Sequence, residues 1–180
     1  MNWRYLVVLI AVAATTEVQA EETPQQLVVP TGQVIVQVRG VVCSFCAYGT
    51  EKNLSKLTFL DRSLFGDGVL MDIHANRITL ALDPRKPLDL KGIHQAITKG
   101  GYDPVTVYLR LSGTVAKQGN RYVLATPEAG PVFELTGHGL ERLHDQQAVN
   151  VQAHLDASQI PALLEEQPVK VIVDTLEASS

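Results

Sequence analysis

The chain has 180 residues, of which 46% are hydrophobic, and it carries a formal net charge of −4 with only two cysteines. Its length suits one domain or two compact ones, and its apolar share is ordinary for a globular protein. The weakly acidic balance, without a long basic run, argues against a protein that binds nucleic acid through the phosphate backbone.

The first twenty residues have the order of a secretory signal peptide. An arginine in MNWR precedes the apolar run YLVVLIAVAA, and TTEVQA then ends in small residues, which predicts cleavage after Ala20. The apolar run is shorter than the ~20 residues of a membrane-spanning helix, and an uncleaved anchor is the alternative. We expect residues 1–20 to be removed, leaving a periplasmic or secreted protein with no stable membrane insertion.

The mature chain begins with a polar, proline-containing lead-in over residues 21–32. Apolar periodicity then predicts strands with period two and helices with an apolar face. In chain order we expect a strand at 34–38, a helix from near the cysteines through Ala47, Thr50, Leu54 and Leu57, a loop at 61–68, strands at 69–73 and 77–82, a helix at 90–97 and a strand at 105–111. This β-α-β-β-α-β order predicts a ferredoxin-like domain over residues 33–111.

From Gly113 onward the helical pattern nearly vanishes. Short strands are predicted at 114–116, 121–125, 132–135, 149–155 and 169–174, with one helical patch at 140–144. This half loosely resembles the small oligonucleotide/oligosaccharide-binding (OB) barrel. The predicted fold class is therefore α+β, with the ferredoxin-like domain followed by a small, mostly-β, OB-like barrel over residues 112–180. The barrel lacks a basic, aromatic-rich face, so we expect it to contact a protein partner and not nucleic acid.

Cys43 and Cys46 lie three positions apart, between the first strand and the first helix. Such a pair can be a metal clamp, a redox pair or a structural disulfide. Soft ions such as Cu(I) and Hg(II) prefer thiolates, and the unpaired N–H groups at a helix start stabilise the thiolate form. A closed structural zinc site wants four ligands, which one chain with two cysteines does not easily provide.

In this position the pair resembles the heavy-metal-associated (HMA) domain family, which includes copper chaperones and the periplasmic mercuric-ion carrier. GVVCSFC (40–46) matches the family motif G-M-x-C-x-x-C except at Val41, and KGGYDP (99–104) is similar to the family's Gly-Tyr loop. The resemblance implies that Cys43 and Cys46 are metal ligands for Cu(I) or Hg(II), with Zn(II) as a third candidate. It also implies that Tyr102 is a neighbour of the metal site.

These observations predict an exported soft-metal carrier that is not an enzyme. It would pass its ion by thiolate exchange to a metal-transporting membrane protein or another metal acceptor. Two alternatives stay open from the sequence: a periplasmic thiol-disulfide redox protein that uses the same cysteines, and an adaptor protein without metal.

Overall fold

The computed structural model describes residues 27–40, 44–126, 131–163 and 167–178. The predicted signal peptide and most of the lead-in segment lie outside the described residues, and so does Cys43. Within those four ranges, no helix has both the length and the apolar content needed to cross a bilayer.

The described chain forms eight strands, three α-helices and two 3₁₀ helices. The α-helices are α1 (Ser44–Leu54), α2 (Phe65–Gly68) and α3 (Leu90–Lys99), and the 3₁₀ helices are Leu140–Arg142 and Ala157–Ala162. The strands are β1 (Gln33–Arg39), β2 (Val69–Asp72), β3 (Arg77–Ala81), β4 (Asp103–Gln118), β5 (Arg121–Ala125), β6 (Phe133–Thr136), β7 (Ala148–Asp156) and β8 (Val169–Ala178).

All eight strands belong to one mixed sheet with the order β2-β3-β1-β4-β5-β6-β8-β7, and β7 also pairs with β4. The pairings are antiparallel except for the parallel pair β6–β8. Two regions meet at β4. We call β1, β2, β3, α1 and α3 the helix-covered region. We call the hydrogen-bonded circuit of β4, β5, β6, β8 and β7 the strand ring.

The predicted fold class is wrong, because the structure is one eight-stranded mixed sheet and not a ferredoxin-like domain followed by a separate OB-like barrel. The cause is the 16-residue strand β4, which runs through residues 111 and 112 without leaving the sheet. Residues 103–109 of β4 pair with β1, residues 114–118 pair with β5, and residues 106–114 pair with β7 along the other edge. The predicted strand 114–116 is therefore part of β4. The domain bounds 33–111 and 112–180 stay a prediction.

In the helix-covered region, the apolar alternation of β1 aligns with that of its neighbours. Val36 pairs with Ile78 of β3 and with Val107 of β4, and all three side chains are fully buried. Leu54 of α1 and Ile97 of α3 belong to the same buried cluster and cover this face of the sheet. The removal of these large apolar side chains from water stabilises the layer.

In the strand ring, the strands supply both sides of the buried interior. Phe133, Leu124, Val151 and Leu155 are buried on β6, β5 and β7, and Val115 of β4 lies among them. The 3₁₀ helix Ala157–Ala162 follows β7 and contacts α3, so it links the strand ring to the helix-covered region. The sequence pattern did not predict this helix, which is short and contains Pro161.

Candidate functional site

In the chain, the cysteine pair follows β1 and overlaps the start of α1. Helix α1 begins at Ser44, immediately after Cys43, and Cys46 is its third residue. Cys43 and the side chain of Cys46 lie outside the described residues, so both remain predicted ligands. A helix start of this kind presents backbone N–H groups without intrahelical partners and a partial positive charge.

The buried face of α1 fixes the direction of its first turn. Ala47, Thr50 and Leu54 recur at spacings of three and four and are 5%, 0% and 0% exposed. Such spacing places them on one side of the helix, against the core. Thr50, one turn after Cys46, is the buried polar residue of this face, and it continues the stripe that the sequence predicted.

Helix α1 packs closely on the end of α3. A Cβ added to Gly100 would collide with the side chain of Thr50 and lie 2.9 Å from its Cα. Only glycine therefore permits this approach of the two helices without a shift of backbone. The contact holds the first turns of α1 against the segment that contains the predicted Gly-Tyr loop.

The Gly-Tyr loop is a Schellman cap at the end of α3. Gly101 has a φ of +88°, its N–H donates to Thr98 O over 3.0 Å, and the N–H of Tyr102 donates to Ile97 O over 3.3 Å. This pattern favours glycine at the left-handed position and an apolar contact from the next residue. Tyr102 occupies that next position and is 3% exposed.

Gly40, which follows β1, lies beside the Gly-Tyr loop. A Cβ added to Gly40 would lie 3.8 Å from the carbonyl oxygen of Gly101, and Gly40 has a φ of +89°. Beside them, Arg39 Nη2 lies 2.8 Å from Asp103 Oδ2 in an exposed ion pair. Tyr102 thus follows a loop that contacts Gly40, three positions before Cys43, and its role as a neighbour of a metal site stays a prediction.

Other metal-ligating side chains do not gather elsewhere in the described ranges. No group of three or more His, Cys, Asp or Glu side chains there could hold a metal ion. Cys43 and the side chain of Cys46 are outside that set.

One polar cluster lies in the strand ring and was not predicted. His154 Nδ1 lies 2.8 Å from Asp174 Oδ1, and the ring centroids of His154 and Tyr108 are 5.9 Å apart. A proton on Nδ1 would let the His154 ring donate a hydrogen bond to this carboxylate oxygen. The pair joins β7 to β8 across a register shift at Gln152/Ala153, so no sequence spacing marks it.

A second cluster lies after β3. The guanidinium of Arg85 donates from Nε to Asp83 Oδ1 over 2.9 Å and from Nη2 to Oδ2 over 3.0 Å. These bonds, with a further one from the Arg85 backbone N–H, hold the pKa of Asp83 well below its ordinary value. Lys86 Nζ donates to Thr58 O over 2.7 Å, which ties this turn to the segment after α1. These hydrogen bonds hold the turn after β3 against the segment that follows α1.

Comparison of the chain with protein-family models, with curated proteins and with solved structures finds no match. The resemblance to the heavy-metal-associated family therefore depends on GVVCSFC (40–46) and KGGYDP (99–104).

Proposed function

We propose that the mature chain is an exported carrier that holds Cu(I) or Hg(II) between the thiolates of Cys43 and Cys46. The observation that supports it is that Cys46 is the third residue of α1 and Cys43 directly precedes the helix, while Gly40 and Thr50, on either side of the pair in the chain, contact the capped end of α3. The pair meets a helix of eleven residues, long enough for its N-terminal N–H groups and dipole to favour thiolate over thiol.

The choice of ion follows from ligand number and softness. Two thiolates suit Cu(I) and Hg(II), which accept low coordination numbers and soft sulfur ligands. Zn(II) prefers four N or S ligands, so this chain would hold it tightly only with ligands from a second protein. We therefore rank Zn(II) below the two soft ions.

Transfer to an acceptor needs no oxidant or reductant. A thiolate of the acceptor adds to the bound ion and gives a three-coordinate intermediate, and then Cys43 or Cys46 leaves as a thiolate. In each exchange one metal–sulfur bond forms and one breaks, a second exchange with another ligand of the acceptor releases the remaining cysteine, and the ion keeps its charge. The acceptor would be a metal-transporting membrane protein or another metal acceptor. No substrate bond is cleaved in this exchange, so the proposed role is that of a carrier and not of an enzyme.

The signal-like order of residues 1–20 supports a periplasmic or secreted location. Such compartments are oxidising, and a C-x-x-C pair at a helix start is also the arrangement of thiol-disulfide proteins. The experiment therefore measures metal affinity and reduction potential on the same material.

The test is an anaerobic titration of reduced residues 21–180 with Cu(I), Hg(II) and Zn(II) against a competing chelator. We expect one soft ion per chain, and we expect Cys43→Ser and Cys46→Ser each to abolish competition with the chelator. His138→Ala, which removes an exposed potential ligand from the strand ring, serves as the matched control and should bind like the unmodified protein.

Weak soft-metal binding together with rapid reduction of a disulfide substrate would assign the cysteines to thiol exchange. Weak binding without thiol exchange would leave an adaptor protein. Either result contradicts the carrier proposal.

A further inference from the structure

A cleft separates α3 from the 3₁₀ helix Ala157–Ala162 and has a volume of about 500 Å³. Helix α3 forms one wall of the cleft. The 3₁₀ helix forms the opposite wall, which is apolar. The lining consists of Lys91, His94, Gln95, Thr98, Lys99, Ile160 and Pro161. This volume is within the range of ligand-binding clefts in proteins.

The charge of the cleft has the opposite sign to that of the whole chain. Lys91 and Lys99 are exposed and line it, whereas no carboxylate of the described residues does, although the formal net charge of the chain is −4. No residue of the described chain forms an ion pair with either lysine. The cleft is therefore a local cationic surface.

Two carboxylates that directly precede the helices of the cleft, Asp89 and Asp156, have other functions. Asp89 accepts a hydrogen bond from Gly92 N over 2.8 Å and caps the start of α3. Asp156 accepts a hydrogen bond from Ser158 N over 2.8 Å and caps the 3₁₀ helix. Hydrogen bonds from Ser158 lower the pKa of Asp156. Both carboxylates are held at the N-termini of their own helices, where they complement the positive end of the backbone dipole.

The walls of the cleft are fixed by the core. Ile93 and Ile97 anchor α3, and Ile160 anchors the 3₁₀ helix; these side chains are at most 1% exposed. The Thr98 hydroxyl donates to His94 O within its own helix over 2.9 Å. The groups that remain for a ligand are the two ammonium groups, the Gln95 amide and the His94 ring.

The spacing of the two lysines along α3 suits an extended ligand with two negative charges. At a rise of 1.5 Å per residue, the Lys91 and Lys99 backbones lie roughly 12 Å apart along α3. Four residues of extended peptide span roughly 13 Å, so that one carboxylate at each end can meet one lysine. An acidic segment with carboxylates at both ends matches the two charges.

We propose that this cleft binds an extended acidic peptide segment of a partner protein. Its acidic ends pair with Lys91 and Lys99, and its middle lies along Gln95 and Pro161. The site does not involve the cysteine pair, so it stands or falls separately from metal binding.

The first test uses fluorescence anisotropy with residues 21–180 and a labelled probe peptide, Gly-Asp-Leu-Gln-Leu-Glu-Gly. A probe with Asn and Gln in place of its acidic residues is the matched peptide control. We expect binding of the acidic probe only, and we expect its affinity to fall as ionic strength rises, because exposed charges are screened. Equal binding of the neutral probe, or no binding of the acidic probe at low salt, would overturn the proposal.

The second test locates the binding surface with charge-reversal variants. Lys91→Glu with Lys99→Glu should weaken binding of the acidic probe by about tenfold or more, because two attractive contacts become repulsive. Lys56→Glu with Lys170→Glu changes the net charge equally at exposed positions outside the cleft and should weaken binding by less than about threefold.

Matched melting temperatures would show that both double variants are folded, and Lys91→Gln with Lys99→Gln provides a milder change at the same positions. Equal losses in the cleft and control variants would mean non-specific attraction, which contradicts the proposal. Sedimentation showing a dimer that only the cleft variants dissociate would assign the cleft to a second copy of the chain, and would also contradict it.

Discussion

The helix-covered region and the strand ring bury the same kind of sheet face in different ways. In the first, α1 and α3 lie over Val36, Ile78 and Val107, so side chains of helix and strand interlock. In the second, β4 to β8 close a circuit of hydrogen bonds and their own side chains fill the interior. Packing in the helix-covered region requires a close approach of α1 to the end of α3. Packing in the strand ring requires a close approach of the β4 backbone to the β5 backbone.

Glycine makes both approaches possible, at positions with different neighbours. Gly100 permits α3 to contact Thr50 of α1. Gly113 permits β4 to contact β5, because an added Cβ would collide with the carbonyl oxygen of Ala125 and lie 3.0 Å from its carbonyl carbon. Strand β4 is therefore the element that the two regions share, since it pairs with other strands on both sides of Gly113.

The largest expected effect tests whether the two regions unfold together. Phe59→Ala in the helix-covered region and Phe133→Ala in the strand ring should each lower the free energy of unfolding by about 3–5 kcal/mol, because both side chains are at most 2% exposed. Urea unfolding followed by circular dichroism, with amide hydrogen exchange in β3 and β6, measures this.

Because β4 is common to both regions, we expect one transition that both substitutions shift. Val132→Ala, beside Phe133 but 45% exposed, is the matched control and should change stability by less than about 0.5 kcal/mol. Two separate transitions, each sensitive to one substitution, would support the predicted domain division between residues 111 and 112.

A smaller effect is expected at the junction itself. Gly113→Ala should lower the free energy of unfolding by about 1–3 kcal/mol, because the new methyl group meets the backbone of β5, which cannot move aside easily. Gly49→Ala is the control: its Cβ would meet nothing within 4 Å inside α1, so it should raise stability by about 0.5–1 kcal/mol. Thermal unfolding that ranks the two variants in the opposite order would contradict this account of β4.

The smallest expected effect is a dependence of stability on pH at the turn after β3. The folded-state pKa of Asp83 is depressed by Arg85, so its contribution is complete above the unfolded value of about 3.9 and is lost as pH falls toward the folded value. Asp83→Asn should therefore differ most from the unmodified protein near neutral pH, and the difference should shrink below about pH 4.

Chemical unfolding at several pH values measures that difference. Asp67→Asn is the control, since its carboxylate lies 3.4 Å from Lys52 Nζ in an exposed pair, where ion pairs contribute little. A difference for Asp83→Asn that is constant down to pH 2 would exclude the proposed role of the Arg85 bonds.

Local pattern was sufficient for most elements. The strand predicted at 121–125 is β5 with the same bounds, and the predicted strand 34–38 lies within β1. The helix predicted to reach Leu57 ends at Leu54, because the N–H groups of Lys56 and Leu57 bond to Asn53 and Leu54 in tighter turns. Apolar periodicity detects a buried face but not the last hydrogen bond of a helix.

The candidate site shows the same division. The position of Cys43 and Cys46 at the start of the helix that follows β1 could be inferred from the residues, and so could the end of α3 at two glycines. The contact of Gly40 with the Gly101 carbonyl could not be inferred from the residues, because it joins segments about sixty residues apart in the chain. Such a contact requires the pairing of β1 with β4, and nothing in either segment encodes it alone.

The order of residues by itself determined where most strands and the two longer α-helices form, which of their faces are apolar, and the spacing of the two thiols, but the short helix α2 lies in the segment 61–68 that was predicted to be a loop. Only the folded chain decided that β4 joins all eight strands in one sheet, that His154 meets Asp174, and that two lysines of α3 share a cleft with Pro161. The physical reason is the sequence separation over which each kind of interaction acts. Side-chain periodicity is set by neighbours within one or two turns, whereas strand partners and clefts depend on hydrogen bonds and packing between residues far apart in the chain.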